Sequence, residues 1–370
     1  MVHSRSSISL SILILIPLLG SPVVGEWETD TWVSNLIGPE RIENGDEFGC
    51  HGYEGVDTLL DNWVIMDCKE YLMELTDSSR WGEDPVSFGI DGETLDDSTA
   101  TSLQQSGFII VGDRLIDAPE GVIVMTRNGG SLEKGVADIE ILENADRDSL
   151  VSIHWRARVG DLRVRDDGDV ISWLESQQVW LTTWGEWHFH RISGEATKVT
   201  VDGQKLFSLS DTSERWAVPG TNYIQFGENV TSVSDSSGVE LPILSHDERK
   251  LQIGWRPVEG GMLLTQAPGT NISIELDNEP KFVDATHLVT FNGLHHGVTV
   301  VGHHTSNLFR WTQDFSGSEL TFTWLIERPV ADAISWVMPV VAISILVAAP
   351  ASIYYLINRD KDMIINDQGE

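Results

Sequence analysis

The sequence predicts a mainly β protein: an antiparallel, jelly-roll-like β-sandwich ectodomain, a second small β-domain and one C-terminal transmembrane helix. Three observations predict it. From about Gly107, short β-type runs alternate with Gly, Asp and Asn turns and show no sustained helical period. A second series of such runs follows Met262. No charged residue occurs between Ala333 and Asn358, a stretch long enough to cross a bilayer.

Residues 1–25 have the order of a secretory signal peptide. A short basic head precedes an apolar run from Ile8 to Leu19, and small residues lead up to Gly25, where we expect cleavage. The alternative is an uncleaved anchor, but the apolar run is short for a hydrocarbon core of ~30 Å. We therefore expect an exported chain.

Residues 333–358 are predicted to form the transmembrane helix. Arg359 and Lys361 follow it directly and mark the cytoplasmic side. The remaining tail, residues 359–370, is too short for an enzymatic domain. The expected localisation is the cell membrane, as a single-pass protein with an extracellular N-terminal part, and the lipid bilayer is an expected partner.

The charge balance limits the classes of partner. The 370 residues carry 57 acidic and 24 basic side chains, a formal net charge of -33. Such an acidic surface repels nucleic acid, so direct nucleic-acid binding is excluded. A chain of this length accommodates two or three folding units.

The first exported unit, residues 26–106, is predicted to be a small disulfide-containing lobe. Apolar residues recur at helical spacing from about Asp57 to Leu75, and Asp57 is suited to cap that helix. An exported chain with two cysteines is expected to join Cys50 to Cys68. Two free buried thiols are the alternative.

Residues 107–260 are predicted to form the β-sandwich, and residues 261–332 a membrane-proximal β-domain. The clearest hairpin is KVTVDGQKLFSL, in which Asp202-Gly203 suits a turn with positive φ. Asn229 and Asn271 each begin an N-x-[ST] tripeptide and are candidate glycosylation sites.

The segments GEWHFHRI and KVTVDGQKL together resemble the concanavalin A-like lectin/glucanase superfamily, in its laminin-G-like form, over roughly residues 107–256. The resemblance implies a jelly-roll fold and carbohydrate binding. Asp138, Glu140 and Glu143 also look like the E-x-D-x-x-E catalytic strand of its laminarinase-type members, with the first two acids exchanged. Retaining hydrolysis needs two carboxyls about 5–5.5 Å apart. The alternative is a solvated strand face.

Aromatic and imidazole side chains supply further candidates. Three tryptophans are candidate glycan contacts, with a buried core as the alternative: Trp173, Trp180 and Trp184. His188 and His190 would share one face of a strand and offer two metal ligands. Four more histidines flank the run GVTVVG, with a polar strand face as the alternative: His295, His296, His303 and His304.

The expected function is that of a membrane-anchored, acidic surface protein that binds glycans or other proteins. The alternative is a membrane-tethered glycoside hydrolase of the laminarinase type. No cofactor is assigned, although acidic fragments such as Asp166-Asp167-Gly168-Asp169 leave calcium open. The sequence contains no G-x-S-x-G, H-E-x-x-H or phosphate-loop motif.

Overall fold

The computed structural model describes residues 38–53, 55–132, 139–157, 168–213, 215–304, 318–328, 340, 343–354 and 357. The chain divides into two units, one covering residues 27–329 and the other joining residues 1–26 and 330–370.

Within residues 27–329, helices and strands mostly alternate up to residue 195, and strands predominate after it. The helices are α1 (Gly38–Asn44), α2 (Trp63–Leu75), α3 (Asp97–Gln105), α4 (Ile139–Glu143), α5 (Gly168–Ser176) and α6 (Trp184–Glu195), with a 3-10 turn at Phe291–Gly293. The strands are β1 (Glu47–Tyr53), β2 (Ser87–Ile90), β3 (Ile110–Asp113), β4 (Ile123–Thr126), β5 (Leu150–Ala157), β6 (Trp180–Leu181), β7 (Thr197–Asp202), β8 (Lys205–Ser210), β9 (Gly220–Gln225), β10 (Val230–Asp235), β11 (Gly254–Val258), β12 (Gly261–Gln266), β13 (Asn271–Leu276), β14 (Asp284–His287), β15 (Gly297–His304) and β16 (Phe322–Arg328).

The largest sheet is entirely parallel. Its order is β4-β3-β2-β1-β16-β15-β5, and β6 pairs with the start of β15. Every residue of β1, β2 and β3 is buried, as expected for strands covered on both faces.

The two edges of this sheet approach each other and nearly close it into a barrel. The segment after β4 bonds to β5: Gly129 N donates to Ser152 O (3.0 Å), and His154 N donates to Gly130 O (2.9 Å). Because the strands are parallel, their carboxyl ends all lie at one end of the barrel, which we call the barrel mouth.

Residues 197–287 form an antiparallel region between α6 and β15. It consists of two four-stranded sheets, β10-β13-β8-β7 and β11-β12-β9-β14, which contribute to one hydrophobic cluster. The β7–β8 hairpin has the turn that the sequence predicts, with Gly203 at φ +57°.

The predicted fold class is wrong. The protein is mixed α/β, and its largest sheet is a parallel barrel rather than an antiparallel sandwich. The runs FIIVG, GVIVMT and LVSIHWRARV do contain strands. The sequence of a buried strand does not determine whether the strands beside it run parallel or antiparallel to it. Barrel strands come from each of the three segments predicted as separate units: β1 and β2, then β3 to β5, then β15 and β16.

The predicted membrane anchor is also contradicted. The described residues 343–354 are helical. Among the described residues, no helix combines the length and apolar character that spanning needs. The bilayer partner and the single-pass membrane localisation are therefore unsupported. The predicted signal peptide, residues 1–25, and the tail, residues 359–370, lie outside the described residues.

The predicted disulfide is confirmed. Cys50 of β1 and Cys68 of α2 are bonded, with their Cα atoms 6.0 Å apart, and both are fully buried. The predicted helix from Asp57 begins later, at Trp63, because Asp57 instead accepts a hydrogen bond from Leu59 N (2.9 Å) within a turn.

Candidate metal centre

Polar side chains gather at the barrel mouth. Each of the seven strands carries a residue with functional chemistry in its carboxyl-terminal half or directly after its end: His51, Asp91, Asp113, Arg127, His154, His303 and Glu327. In parallel barrels the carboxyl ends of the strands form the active site, because loops from several strands converge there. Sequence reasoning identified His303 and missed the other six.

Asp113 lies at the centre of this group and is fully buried. Its Oδ2 atom is 3.5 Å from His51 Nε2 and 3.2 Å from His303 Nε2, and its Oδ1 atom is 4.0 Å from His154 Nδ1. Oδ1 also forms an ion pair with Arg127 Nε. Even so, neither carboxylate oxygen has a hydrogen bond of acceptable geometry from any described residue. The carboxylate is therefore surrounded by three imidazoles and one guanidinium group, all within 4.0 Å.

The spacing of three of these donors matches a metal ion. The ligand atoms of His51, Asp113 and His303 all lie within 4.8 Å of one another. Two ligands each ~2.1 Å from a tetrahedral ion are about 3.4 Å apart. The observed 3.5 and 3.2 Å from the Asp113 carboxylate to the two imidazoles therefore leave room for one ion among them.

The backbone at Asp113 is also unusual. Its φ of 79° places it in the left-handed region, which few residues other than glycine adopt, although aspartate is among the more tolerant. Such conformations cost free energy and concentrate at functional sites. Here the conformation occurs at the end of β3, where the carboxylate faces His51 and His303.

Close packing holds His51 in place. A Cβ atom added to Gly89 of β2 would collide with the His51 ring. The His51 and His303 rings lie with centroids 4.1 Å apart, and His154 meets His303 edge to face at 5.0 Å. The three imidazoles are therefore fixed by contact with their neighbours, which favours a preorganised site.

A pocket of ≈ 390 Å³ leads from the surface to His51. A second donor group, His51 with Asp91 and Glu327, lies along it, again with ligand atoms within 4.8 Å. Asp91 is exposed at the pocket and Glu327 is buried.

His188 and His190 lie on helix α6 rather than on the predicted strand. Residues two apart on a helix point in different directions, so they do not share a face. His190 is fully buried and its Nε2 lies 2.9 Å from Thr221 Oγ1; burial lowers its pKa to about 3. Burial likewise lowers the pKa of His188 to about 4.

His295 and His296 precede β15, at the end of that strand opposite His303. Their Nδ1 atoms lie 3.1 Å apart, and burial lowers the pKa of His296 to about 4. The His304 side chain is outside the described part of the structure. The structure therefore does not bring the two predicted histidine pairs together.

The other predicted residues lie away from the barrel mouth or in its core. Trp180 and Trp184 are fully buried, and Trp173 packs against the core, in agreement with the core alternative.

The candidate catalytic acids do not lie on a strand where they are described. Glu140 and Glu143 lie on helix α4, and Asp138 is outside the described residues. Their catalytic role stays a prediction. Among the acids of the candidate calcium loop, Asp166 and Asp167 are not described, and Gly168-Asp169 begin α5. Asn229 and Asn271 are exposed, and their glycosylation stays a prediction.

The buried His190 predicts acid sensitivity of folding. The folded protein keeps this imidazole neutral down to a pKa of about 3, whereas the unfolded chain protonates near 6.5. Its contribution to stability is therefore complete above pH 6.5 and is lost as the pH falls toward 3, by about 2 kcal/mol at pH 5. In urea unfolding at pH 7.5 and 5, His190→Gln should lose less stability on acidification than the wild type. His246→Gln, at an exposed site, should match the wild type; equal acid losses in all three would contradict the assignment.

Comparisons with known proteins identify no relative: no protein-family model, no curated protein and no solved structure matches the chain significantly. The resemblance to concanavalin A-like proteins stays a prediction. Its Trp-led segment, GEWHFHRI, lies in helix α6 rather than in a strand.

Proposed function

We propose that the protein is a metal-dependent hydrolase with one zinc-type ion bound by His51, Asp113 and His303. The supporting observation is the set of two imidazoles and one carboxylate, spaced for a single ion, at the mouth of a parallel barrel and next to a pocket. Three protein ligands with a free fourth position are the pattern of catalytic zinc.

The chemistry of such an ion defines the reaction. When bound, zinc lowers the pKa of its water to ≈ 7 and polarises the substrate oxygen. Arg127 pairs with Oδ1 of Asp113, whereas the two ligand histidines approach Oδ2, and the ion pair so holds that carboxylate in position. His154, whose Nδ1 is 4.0 Å from Asp113 Oδ1, is placed to transfer a proton at the same mouth.

The same donor set also occurs in non-haem iron(II) oxygenases, so the identity of the ion distinguishes hydrolysis from oxidation. The glycan-binding role expected from the sequence loses its main candidate contacts, because Trp180 and Trp184 are buried. The clustered histidines and acids therefore favour a metal centre over a glycan-binding aromatic surface.

Zinc titration of metal-free protein tests the proposal. We expect one ion per chain, with binding weakened at least ~100-fold in His303→Gln because one of three protein ligands is lost. His246→Gln is the matched control, since His246 is exposed and distant in the chain. Zinc should also restore hydrolysis of at least one of a carboxylic ester, an amide and a phosphate ester.

Three outcomes would contradict the proposal. The wild type could fail to bind zinc, or His303→Gln and His246→Gln could lose zinc affinity equally. The zinc-loaded protein could also hydrolyse none of the three bond types. A clear preference for iron(II) over zinc would contradict hydrolysis in favour of oxygen chemistry.

A further inference from the structure

A second pocket lies where strand pairing leaves the barrel open. β4 is an edge strand of the parallel sheet, and β5 begins level with Asn128, beyond the end of β4: Asn128 Nδ2 donates to Leu150 O (2.8 Å), and Ser152 N donates to Asn128 Oδ1 (2.7 Å). Among the described strands, none pairs with the outer edge of β4. Helix α6 borders that edge instead, and a pocket of ≈ 290 Å³, which we call the seam pocket, lies between them.

Helix α6 contributes Trp187, His188 and Arg191 to the seam pocket. Residues three and four apart on a helix are neighbours, so Arg191 lies beside both of the others. His188 is only 8% exposed, yet neither of its ring nitrogens has a hydrogen bond to a described residue. Buried polar groups are normally paired, so a histidine in this condition that lines a pocket points to a ligand.

The seam pocket is basic, although the whole chain has a net charge of -33. Arg191 lines it, and none of the described residues that border it is an aspartate or a glutamate. Arg191 Nε lies 3.8 Å from Glu195 Oε1, beyond hydrogen-bonding distance, so the guanidinium has donors to spare. Burial, and then the positive charges of Arg191 and Arg215, lowers the pKa of His188 to about 4. The imidazole is therefore neutral at pH 7 and donates through one nitrogen.

We infer that the seam pocket binds a small organic carboxylate, with the carboxylate group at Arg191 and His188 and the apolar part of the molecule along β4. The inference is independent of the proposed hydrolase. A guanidinium group binds a carboxylate through two parallel N–H donors, and such charge-assisted bonds are about twice as strong as neutral ones.

The remaining wall of the seam pocket suits the apolar part of such a ligand. Ile123, Val124 and Met125 of β4 border it, together with Leu150 and Trp187. Ligand pockets commonly combine an apolar lining with a few polar groups that fix the orientation of the ligand. An inorganic anion would leave this apolar wall unfilled, whereas an organic carboxylate covers it.

The charge of the pocket favours a carboxylate over a phosphate ester. Arg191 is the one charged side chain among the described residues that border it, and His188 is neutral at pH 7. One positive charge matches one carboxylate. A phosphate monoester carries about -1.5 to -2 at that pH and calls for further cationic donors.

Calorimetric titration with sodium hexanoate tests the inference. At pH 7.5 and constant ionic strength, the zinc-free wild type should bind hexanoate at least ~10-fold more tightly than acetate, hexanol or hexylammonium. Acetate lacks the apolar chain, and the other two lack the negative charge. Zinc-loaded protein should bind hexanoate with the same affinity, which separates the seam pocket from coordination of the carboxylate by zinc.

Variants of the two polar residues test their roles. Arg191→Gln should weaken hexanoate binding at least ~10-fold, because it removes the charged donor. Lys205→Gln is the matched control, since its side chain is 52% exposed against 53% for Arg191, and it should bind as the wild type does. His188→Phe should weaken binding at least ~5-fold without lowering stability in urea, because the lost nitrogens have no protein partner.

Several results would overturn the inference. The wild type could fail to bind hexanoate, or could bind hexanol or hexylammonium as tightly. Arg191→Gln and Lys205→Gln could bind alike, or binding could require zinc. Tighter binding of hexyl phosphate would replace the carboxylate by a phosphate group. A loss of stability in His188→Phe with unchanged hexanoate affinity would show that His188 packs the helix and does not contact the ligand.

Discussion

Asp113→Asn is expected to abolish the metal centre, lowering zinc affinity by more than ~100-fold. The rate of hydrolysis should fall as well. The amide keeps the shape of the carboxylate but removes the charge that faces His51, His303 and Arg127. Asparagine also tolerates positive φ, so the backbone at 79° imposes little additional strain. The effect therefore reports the lost charge rather than a distorted strand.

The matched control is Asp148→Asn. Asp148 also has positive φ, at 60°, but it is exposed and lies in the turn before β5. It should leave zinc affinity unchanged in the same competition assay against a chelator. If Asp113→Asn bound zinc as the wild type does, while thermal unfolding showed it to be folded, Asp113 could not be a metal ligand.

Removal of the disulfide should produce the second large effect. Replacing Cys50 and Cys68 together by alanine is expected to lower the free energy of unfolding by about 3 kcal/mol, the chain-entropy value for a loop of this size. The loop between them contains the metal ligand His51 and much of the pocket wall, at Tyr53 and residues 55–59. Zinc affinity should therefore fall as well, because the ligand is less firmly positioned.

Urea unfolding and zinc titration of the double variant measure these two effects. Dithiothreitol added to the wild-type protein during unfolding should reproduce the stability loss, but have no effect on the double variant. Unchanged stability of the double variant would show that the cross-link contributes nothing to folding. A stability loss with unchanged zinc affinity would show that β1 holds His51 without the cross-link.

The sequence predicts the positions of many strands but not how they pair. The run containing β15 is apolar and β-branched, which identifies a strand, and Gly203 identifies a hairpin turn. The direction of a neighbour depends on residues far away in the chain: β1 pairs with β16, and Phe322 N bonds to Asp46 across 276 residues. The antiparallel region was therefore predictable from local turns, whereas the barrel was not.

Helix α6 was misread because its alternation of Trp187, His188, Phe189 and His190 imitates a strand. A local signal for the helix was present in Thr183-Trp184-Gly185-Glu186, a capping-box pattern. In the structure Thr183 Oγ1 accepts a hydrogen bond from Glu186 N (3.3 Å). The capping box indicates the helix correctly here, whereas the alternation of aromatic residues and histidines does not.

The metal-site residues share a sequence feature that becomes meaningful only once the sheet is known to be parallel. The runs EFGCH, IIVGD and VTVVGH each end in a histidine or an aspartate, at His51, Asp113 and His303. In an antiparallel sheet these ends would alternate between opposite edges. In the parallel barrel they meet, which explains why composition and local spacing could not reveal the cluster.

The topology of the barrel also determines the order in which the molecule can assemble. β1 finds its partner β16 only near the end of the described chain, after the whole antiparallel region has been synthesised. Contacts of such high sequence separation slow folding, because chain entropy is lost before they form. The ribosome therefore releases His51 and Asp113 long before His303 can join them. Metal uptake should be a late event that follows barrel closure, and nascent chains truncated before β15 should be unable to acquire the ion.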